Sequence, residues 1–249
     1  MRALLITAAG TSSRFSQSLG KVCLKCIYYP ENIKESLLYH MLWQDREFDK
    51  YIIVGGFMFA QLKETVEREF SDLREKIILV NNVKYAEYGS GYSLYKGLEE
   101  ILKMDFDELV FAEGDLFVDK VSFRKVVEAP KDVITSNTDP ILAEKAVAFY
   151  YDGKNCIHYI YDTCHSMLEI KEPFRAIYNS GQIWKFTQPD LMRRICGDMQ
   201  ERDWQGTNLV FIQKYFQELG SHEYDIIQFK KWINCNTISD YEKIRKGIW

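Results

Sequence analysis

The sequence predicts an α/β fold of three layers, with helices on both faces of a mostly parallel mixed sheet and a β-hairpin insertion in the second half. Three observations carry this. Apolar runs of strand length recur at residues 2–7, 51–54, 77–80 and 109–112, continuous rather than alternating, as expected of strands covered on both faces. Stretches of helical spacing lie between them, the βαβαβ rhythm of an open parallel sheet. After residue 130 the pattern changes, and the runs 146–151 and 156–161 flank Asp152-Gly153, a dipeptide suited to a tight hairpin turn.

In chain order, the first strand stops abruptly at Ala8-Ala9-Gly10 and gives way to Thr11, Ser12, Ser13 and Arg14, with Lys21 seven positions after Arg14. Asn32, with Glu35 three residues on, reads as a capped helix start, and Leu37, Leu38, Met41 and Leu42 continue it to about Trp43. The second strand ends at Gly55-Gly56, and a charged helix over about 59–70 leads to the third. Asn81-Asn82 opens a loop through residues 85–92, followed by a helix carrying Leu94, Leu98, Ile101 and Leu102 on one face. The fourth strand runs straight into Glu113-Gly114-Asp115. Ligands of such sheets sit beyond the carboxyl ends of the strands, where Gly10 and Asp115 both fall. Further on come a short strand at 132–136, strands around 176–178 and 182–184, and a helix opened by Pro189 and running to Cys196. Thr207 caps another helix, and residues 232–237 form a strand and its loop before a last helix through Ile244. No repeat, low-complexity tract or linker interrupts residues 1–249, so one domain is expected.

A chain of 249 residues, 47% hydrophobic and 14% aromatic, can bury a sizeable core. Its net charge of −4 and lack of a long basic run argue against nucleic acid as a partner. No apolar run is long enough to span a bilayer and none resembles a secretory leader, so a soluble, cytoplasmic protein is expected. Six cysteines are scattered rather than framework-like. Cys23-Leu24-Lys25-Cys26 has the spacing of a redox pair or half a zinc site, but Cys164-His165 is the only other cluster and lacks matching spacing; reduced thiols are the simpler reading.

A buried strand that breaks into small and hydroxylated residues with two cations beyond it suits an anion, polyphosphate above all. The loop is neither a Walker P-loop nor a GxGxxG fingerprint, and on its residues alone a plain polar strand-to-helix turn remains an alternative.

The larger arrangement resembles the signature of GT-A-like nucleotidyltransferases, a Rossmann-like fold in which a strand leads to A-A-G-x-G-T-R and later to P-K. It stands here as Ala8-Ala9-Gly10-Thr11-Ser12-Ser13-Arg14 with Lys21 in the lysine position, Ser12 replacing a glycine and Gly20 a proline. Asn82-Val83-Lys84-Tyr85 with Ser93-Leu94, then Glu113-Gly114-Asp115, then Asn236-Thr237-Ile238-Ser239-Asp240-Tyr241 are similar to segments of small-alcohol cytidylyltransferases, with Asn236 replacing an aspartate. The Glu-Gly-Asp form favours the branch resembling phosphocholine cytidylyltransferase.

The resemblance implies transfer of CMP from CTP to a small phosphorylated acceptor, with residues 1–120 as the nucleotide-binding half and 121–249 as the acceptor-binding half. Phosphocholine-like compounds, phosphorylated amino alcohols or amino acids, and phosphonates are the expected acceptors, their products serving surface polysaccharide or lipid decoration. Arg14 and Lys21 would be catalytic. Ala8, Ala9, Gly10, Thr11, Ser12, Ser13, Asn82, Gly89 and Ser90 would bind nucleotide. Mg²⁺ would be held by Asp115 and Asn236, the latter otherwise an ordinary turn residue, while Asp240 reads as a first-turn acid. Aromatics of the later half (Tyr159, Tyr161, Trp184, Trp204, Trp232), interleaved with Asp162, Glu169 and Glu172, could cage a quaternary ammonium, Tyr161 and Trp184 being the candidates, or could simply be core. A sugar-1-phosphate nucleotidyltransferase and an inactive nucleotide-binding module are the competing readings.

Overall fold

The computed structural model describes residues 1–44, 48–144, 147–161 and 166–247. Ala146, Asp162, Cys164 and His165, on which the sequence reading drew, lie outside these residues. The first half runs β1 (Arg2–Ala8), α1 (Ser13–Leu19), α2 (Leu37–Trp43), β2 (Lys50–Gly55), α3 (Phe59–Glu69), β3 (Ile77–Asn81), α4 (Ser90–Ile101) and β4 (Glu108–Glu113). It continues through β5 (Leu116–Val118), α5 (Lys120–Glu128), β6 (Asp132–Asn137), β7 (Ala148–Asp152), β8 (Ile157–Tyr159) and β9 (Phe174–Phe186). The chain closes with α6 (Pro189–Asp198), α7 (Glu201–Gln205), α8 (Leu209–Gln217), β10 (Tyr224–Phe229), β11 (Trp232–Asn234) and α9 (Ile238–Lys246).

The main sheet has the order β10-β6-β9-β4-β1-β2-β3. Its neighbours are parallel except that β9 runs antiparallel between β4 and β6. The continuous apolar runs have a direct cause: successive side chains of a strand point to opposite faces, and here each face has its own core. Ala3 and Leu5 of β1, with Ile52 and Val54 of β2, pack with Leu94, Leu98 and Ile101 of α4 and with α6 and α8. Leu4 and Ile6, with Tyr51 and Ile53, pack with Leu62 and Val66 of α3 and Phe123, Val126 and Val127 of α5. The expected mostly parallel α/β sheet with helices on both faces is therefore the observed one.

Four details depart from the sequence reading. Asn32 caps only a 3-10 turn at Ile33–Glu35, through its side chain and the Lys34 N–H, and α2 starts separately behind Ser36, whose hydroxyl accepts from the Tyr39 N–H. The strands expected around 176–178 and 182–184 are one strand, β9, whose first part pairs with the hairpin strand β7 and whose second part enters the main sheet. Its register against β6 shifts between Ile134 and Ser136, opposite Gly181 and Gln182, and Gln182 takes φ 56°. Third, α5, α7 and β10 gave no sequence signal that the reading used. Last, β5 is unanticipated too; it pairs antiparallel with β11 as a small ribbon, which draws the closing segment back to the end of β4.

Candidate active site

The carboxyl ends of β1 and β4 open into a cleft of about 750 Å³, within the range of small-molecule sites. Residues Ala8, Ala9, Gly10, Thr11, Ser12, Ser13 and Arg14 form one wall. Ser12, where the resembling family has glycine, adopts the left-handed conformation (φ 54°, ψ 27°), at a cost of order 1–3 kcal/mol for a residue with a Cβ. Its hydroxyl compensates by accepting the Lys25 N–H at 3.1 Å. The substitution therefore does work a glycine could not, because it fixes the backbone of a lysine thirteen positions on.

Lys25, and not Lys21, is the lysine of the cleft. The α1 helix ends at Leu19 with Gly20 in the left-handed cap, which leaves Lys21 exposed and off the cleft wall. Lys25 begins a short 3-10 turn between buried Leu24 and Cys26, and its Nζ lies 2.9 Å from Asp115 Oδ2. The sequence carries one signal for it, a lysine flanked by apolar positions within the CxxC spacing. The thiols themselves are held inert: burial pushes Cys26 up to about 12 and raises Cys23. Among the described residues, Asp152, Cys156 and His158 on the β7–β8 hairpin are the only converging set of such metal donors, and they do not line the cleft.

Asp115 enters because β4 ends at Glu113 and Gly114 passes tightly over β1. The Gly114 N–H donates to Thr7 O at 2.8 Å, and a Cβ on Gly114 would stand 2.8 Å from that same oxygen. Only glycine fits there. Asp115 Oδ1 is buried and, among the described residues, has no hydrogen-bond partner. Glu113 lines the same cleft, and Asn208 Nδ2 donates to its Oε1 at 2.8 Å. Burial, with the negative charge of Asp115 adding, pushes the Glu113 carboxyl up to about 7. Asn208 was missed by the sequence reading.

The closing segment completes the site. The Cys235 N–H donates to Asp115 O at 2.8 Å, so Asn234 and Asn236 flank Asp115, and both line the cleft. Arg14 Nη2 donates to Asn236 Oδ1 at 2.9 Å, joining residues 222 positions apart. Asp240 is a capping residue: its Oδ2 accepts from the Asn236 and Thr237 N–H groups and the Thr237 hydroxyl.

Gly89 and Ser90 line the cleft, but Gly89 serves packing. Its N–H donates to Gln205 O, and a Cβ would lie 2.3 Å from Gly206 O. Tyr161 lines the rim, exposed. Two other expected residues stand elsewhere. Asn82 is fully buried outside the cleft, donating to Ser93 Oγ and accepting from the Lys84 N–H, so it ties the β3–α4 loop together. Trp184 is fully buried in the sheet core, stacked on Phe111 at 5.2 Å with its Nε1–H donating to Tyr159 OH at 2.8 Å. An aromatic facing the core cannot meet an acceptor.

Solved structures share this architecture. The inositol-1-phosphate CTP transferase from T. maritima is 18% identical, with a TM-score of 0.66 over 100% of this chain and 98% of its own. A putative glucose-1-phosphate thymidylyltransferase from Bacillus anthracis is 12% identical, with a TM-score of 0.68 over 100% and 95%. The CTP:phosphocholine cytidylyltransferase from Streptococcus pneumoniae is 15% identical, with a TM-score of 0.63 over 100% and 99%. The fold is thus that of nucleotidyltransferases, as the motifs led one to expect. No curated protein sequence matches the chain. Residues 21–248 match the family described as Domain of unknown function (DUF6564), and the chain belongs to that family.

Proposed function

We propose that the protein transfers CMP from CTP to a small phosphorylated acceptor and releases pyrophosphate. The observation that carries the reading is the Lys25–Asp115 pair at 2.9 Å, set in one cleft with the small-residue loop after β1. An oxygen of the acceptor's phosphate attacks the α-phosphorus of the nucleotide; the bond from that phosphorus to the bridging oxygen breaks, and pyrophosphate leaves with the electron pair. The attacking phosphate is already an anion near neutral pH, so no strong base is required. Catalysis is then positioning plus stabilisation of charge on the phosphoryl oxygens.

In this reading the loop from Gly10 to Ser13 cradles the β- and γ-phosphates, and Arg14 holds the leaving pyrophosphate by its planar fork. Lys25 takes the role that the resemblance gives to Lys21, between the α-phosphate and the attacking phosphate. Asp115 Oδ1, a buried hard donor without a partner among the described residues, fits Mg²⁺, with Asn236 as a neutral second donor. When bound, the ion would neutralise charge on the triphosphate. CTP is favoured by the motifs and by two of the neighbours above, whose names carry CTP. Products of such transfer suit surface polysaccharide or lipid decoration, made by a cytoplasmic enzyme; among the described residues no helix is long and apolar enough to cross a membrane.

The test is pyrophosphate release from each of the four NTPs with Mg²⁺ across a panel of phosphorylated acceptors. Release with CTP is expected. No turnover with any NTP would refute the proposal and leave a nucleotide-binding module.

A further inference from the structure

The acceptor side of the cleft has a chemistry of its own. Sheet order separates it from the nucleotide side: the phosphate loop leaves β1, Asp115 follows β4, and Gln182 stands on β9, beyond β4. Gln182 is 1% exposed yet lines the cleft, and its Nε2 has no partner among the described residues. Asn234 reaches the same place from β11; its Nδ2 donates to Gln182 Oε1 at 3.3 Å, and its own buried Oδ1 is likewise unpartnered. Two joined amides of the cleft lining thus keep one buried donor and one buried acceptor without a partner among the described residues. Turning both amides over exchanges the two but still leaves one of each.

The pair is held there by design of the backbone. Gln182 sits at φ 56° in the β9 bulge, a conformation that persists only where the surroundings fix it. Its N–H donates to Ser180 Oγ, the next N–H donates to Thr135 Oγ1, and Trp232 Nε1 donates to Gly181 O. Buried amide groups left open cost stability unless a ligand satisfies them.

Among the described residues, the two carboxylates at the end of β4 are already engaged. Asp115 is paired with Lys25, and Glu113 accepts from Asn208. Glu144 is exposed at the rim. Of the aromatics that could cage a cation, Tyr159, Trp184 and Trp204 are buried and do not line the cleft, which leaves Tyr161 at its rim. A neutral donor–acceptor pair matches a hydroxyl group, which also donates and accepts; a quaternary ammonium can do neither.

We infer that the acceptor is a hydroxylated phosphate, a phosphorylated polyol or sugar, and that Gln182 and Asn234 select it by hydrogen bonds to its hydroxyls. This rests on the transfer reading for the cleft's division into two sides, and it is tested by binding as well as turnover. Acceptor affinity is measured calorimetrically with a non-transferable α,β-methylene CTP analogue present, using inositol 1-phosphate, glucose 1-phosphate and glycerol 3-phosphate against phosphocholine and phosphoethanolamine. At least one hydroxylated phosphate is expected to bind about tenfold more tightly than phosphocholine, and Gln182→Leu to remove about that factor while changing phosphocholine little. The three probes separate cyclic polyol, sugar and open-chain polyol. In turnover, Gln182→Leu should raise the acceptor KM far more than the KM for CTP. The near-isosteric Gln182→Glu, checked for folding by circular dichroism, should shift preference toward phosphoethanolamine. Tighter binding of phosphocholine or phosphoethanolamine than of every hydroxylated phosphate, no acceptor binding at all, or equal losses for all probes in Gln182→Leu would overturn the inference. Hydroxyl-dependent binding without turnover would overturn only the transfer reading.

Discussion

Replacing Lys25 with alanine, beside Lys21→Ala as its counterpart, separates two lysines that motif spacing confused. Lys25 Nζ lies 2.9 Å from Asp115 Oδ2, with the two side chains 15% and 25% exposed. Removing it leaves both Asp115 oxygens without a partner among the described residues. Breaking a fully buried pair costs roughly 3–5 kcal/mol, and the residual exposure here lowers that to about 2 kcal/mol. For a domain of this size that is a fall in Tm of about 4–8 °C, which leaves the protein folded at 25 °C. Activity should suffer more. Loss of one charge-stabilising group at a reacting centre lowers kcat by about 10²–10³. Lys21, exposed beyond the α1 cap, should lose less than about threefold and shift Tm by under about 2 °C. Steady-state pyrophosphate release and thermal melts on both variants decide it. A hundredfold loss in Lys21→Ala, or near-normal turnover in Lys25→Ala, would refute the assignment.

Two further predictions concern Glu113 and Trp184. The folded state raises the Glu113 carboxyl to about 7, so between the ordinary carboxylate range and about pH 7 the folded chain keeps a proton that the unfolded chain has released. Stability contributed by this group is therefore full at low pH and declines as pH rises to about 7. Glu113→Gln should flatten that part of the Tm–pH curve, and an unchanged slope would refute the buried-carboxyl account. Trp184→Ala should cost about 3–5 kcal/mol in stability and leave the acceptor KM little changed below the melting range; the reverse pattern would return Trp184 to the acceptor site.

The strands of the first half were legible because both faces are buried: every residue from Ala3 to Ile6 is fully buried, so no register had to be known. Where register matters, reading failed. Whether Trp184 faces the core or the cleft depends on its place beyond the bulge at Gly181 and Gln182, and a bulge leaves no trace in apolar spacing. Lys25 was hidden for another reason. What selects it over Lys21 is a bond from its own N–H to the Ser12 hydroxyl, a contact between two loops that no local pattern encodes. Asn208 is placed by Glu113, 95 positions away, and only the fold brings them together.

The insertion of β9 between β4 and β6 also governs how the chain can be made. Phe111 pairs with Trp184, about seventy positions later, so at 5–20 residues per second a ribosome exposes the finished β4 edge for roughly 4–15 s before its partner exists. During that interval the apolar backbone edge from Val110 to Ala112 is open to pairing with other chains. The strand that later carries Gln182 into the cleft thus also covers this edge, about fifty positions before Asn234 and Asn236 arrive to complete the cleft.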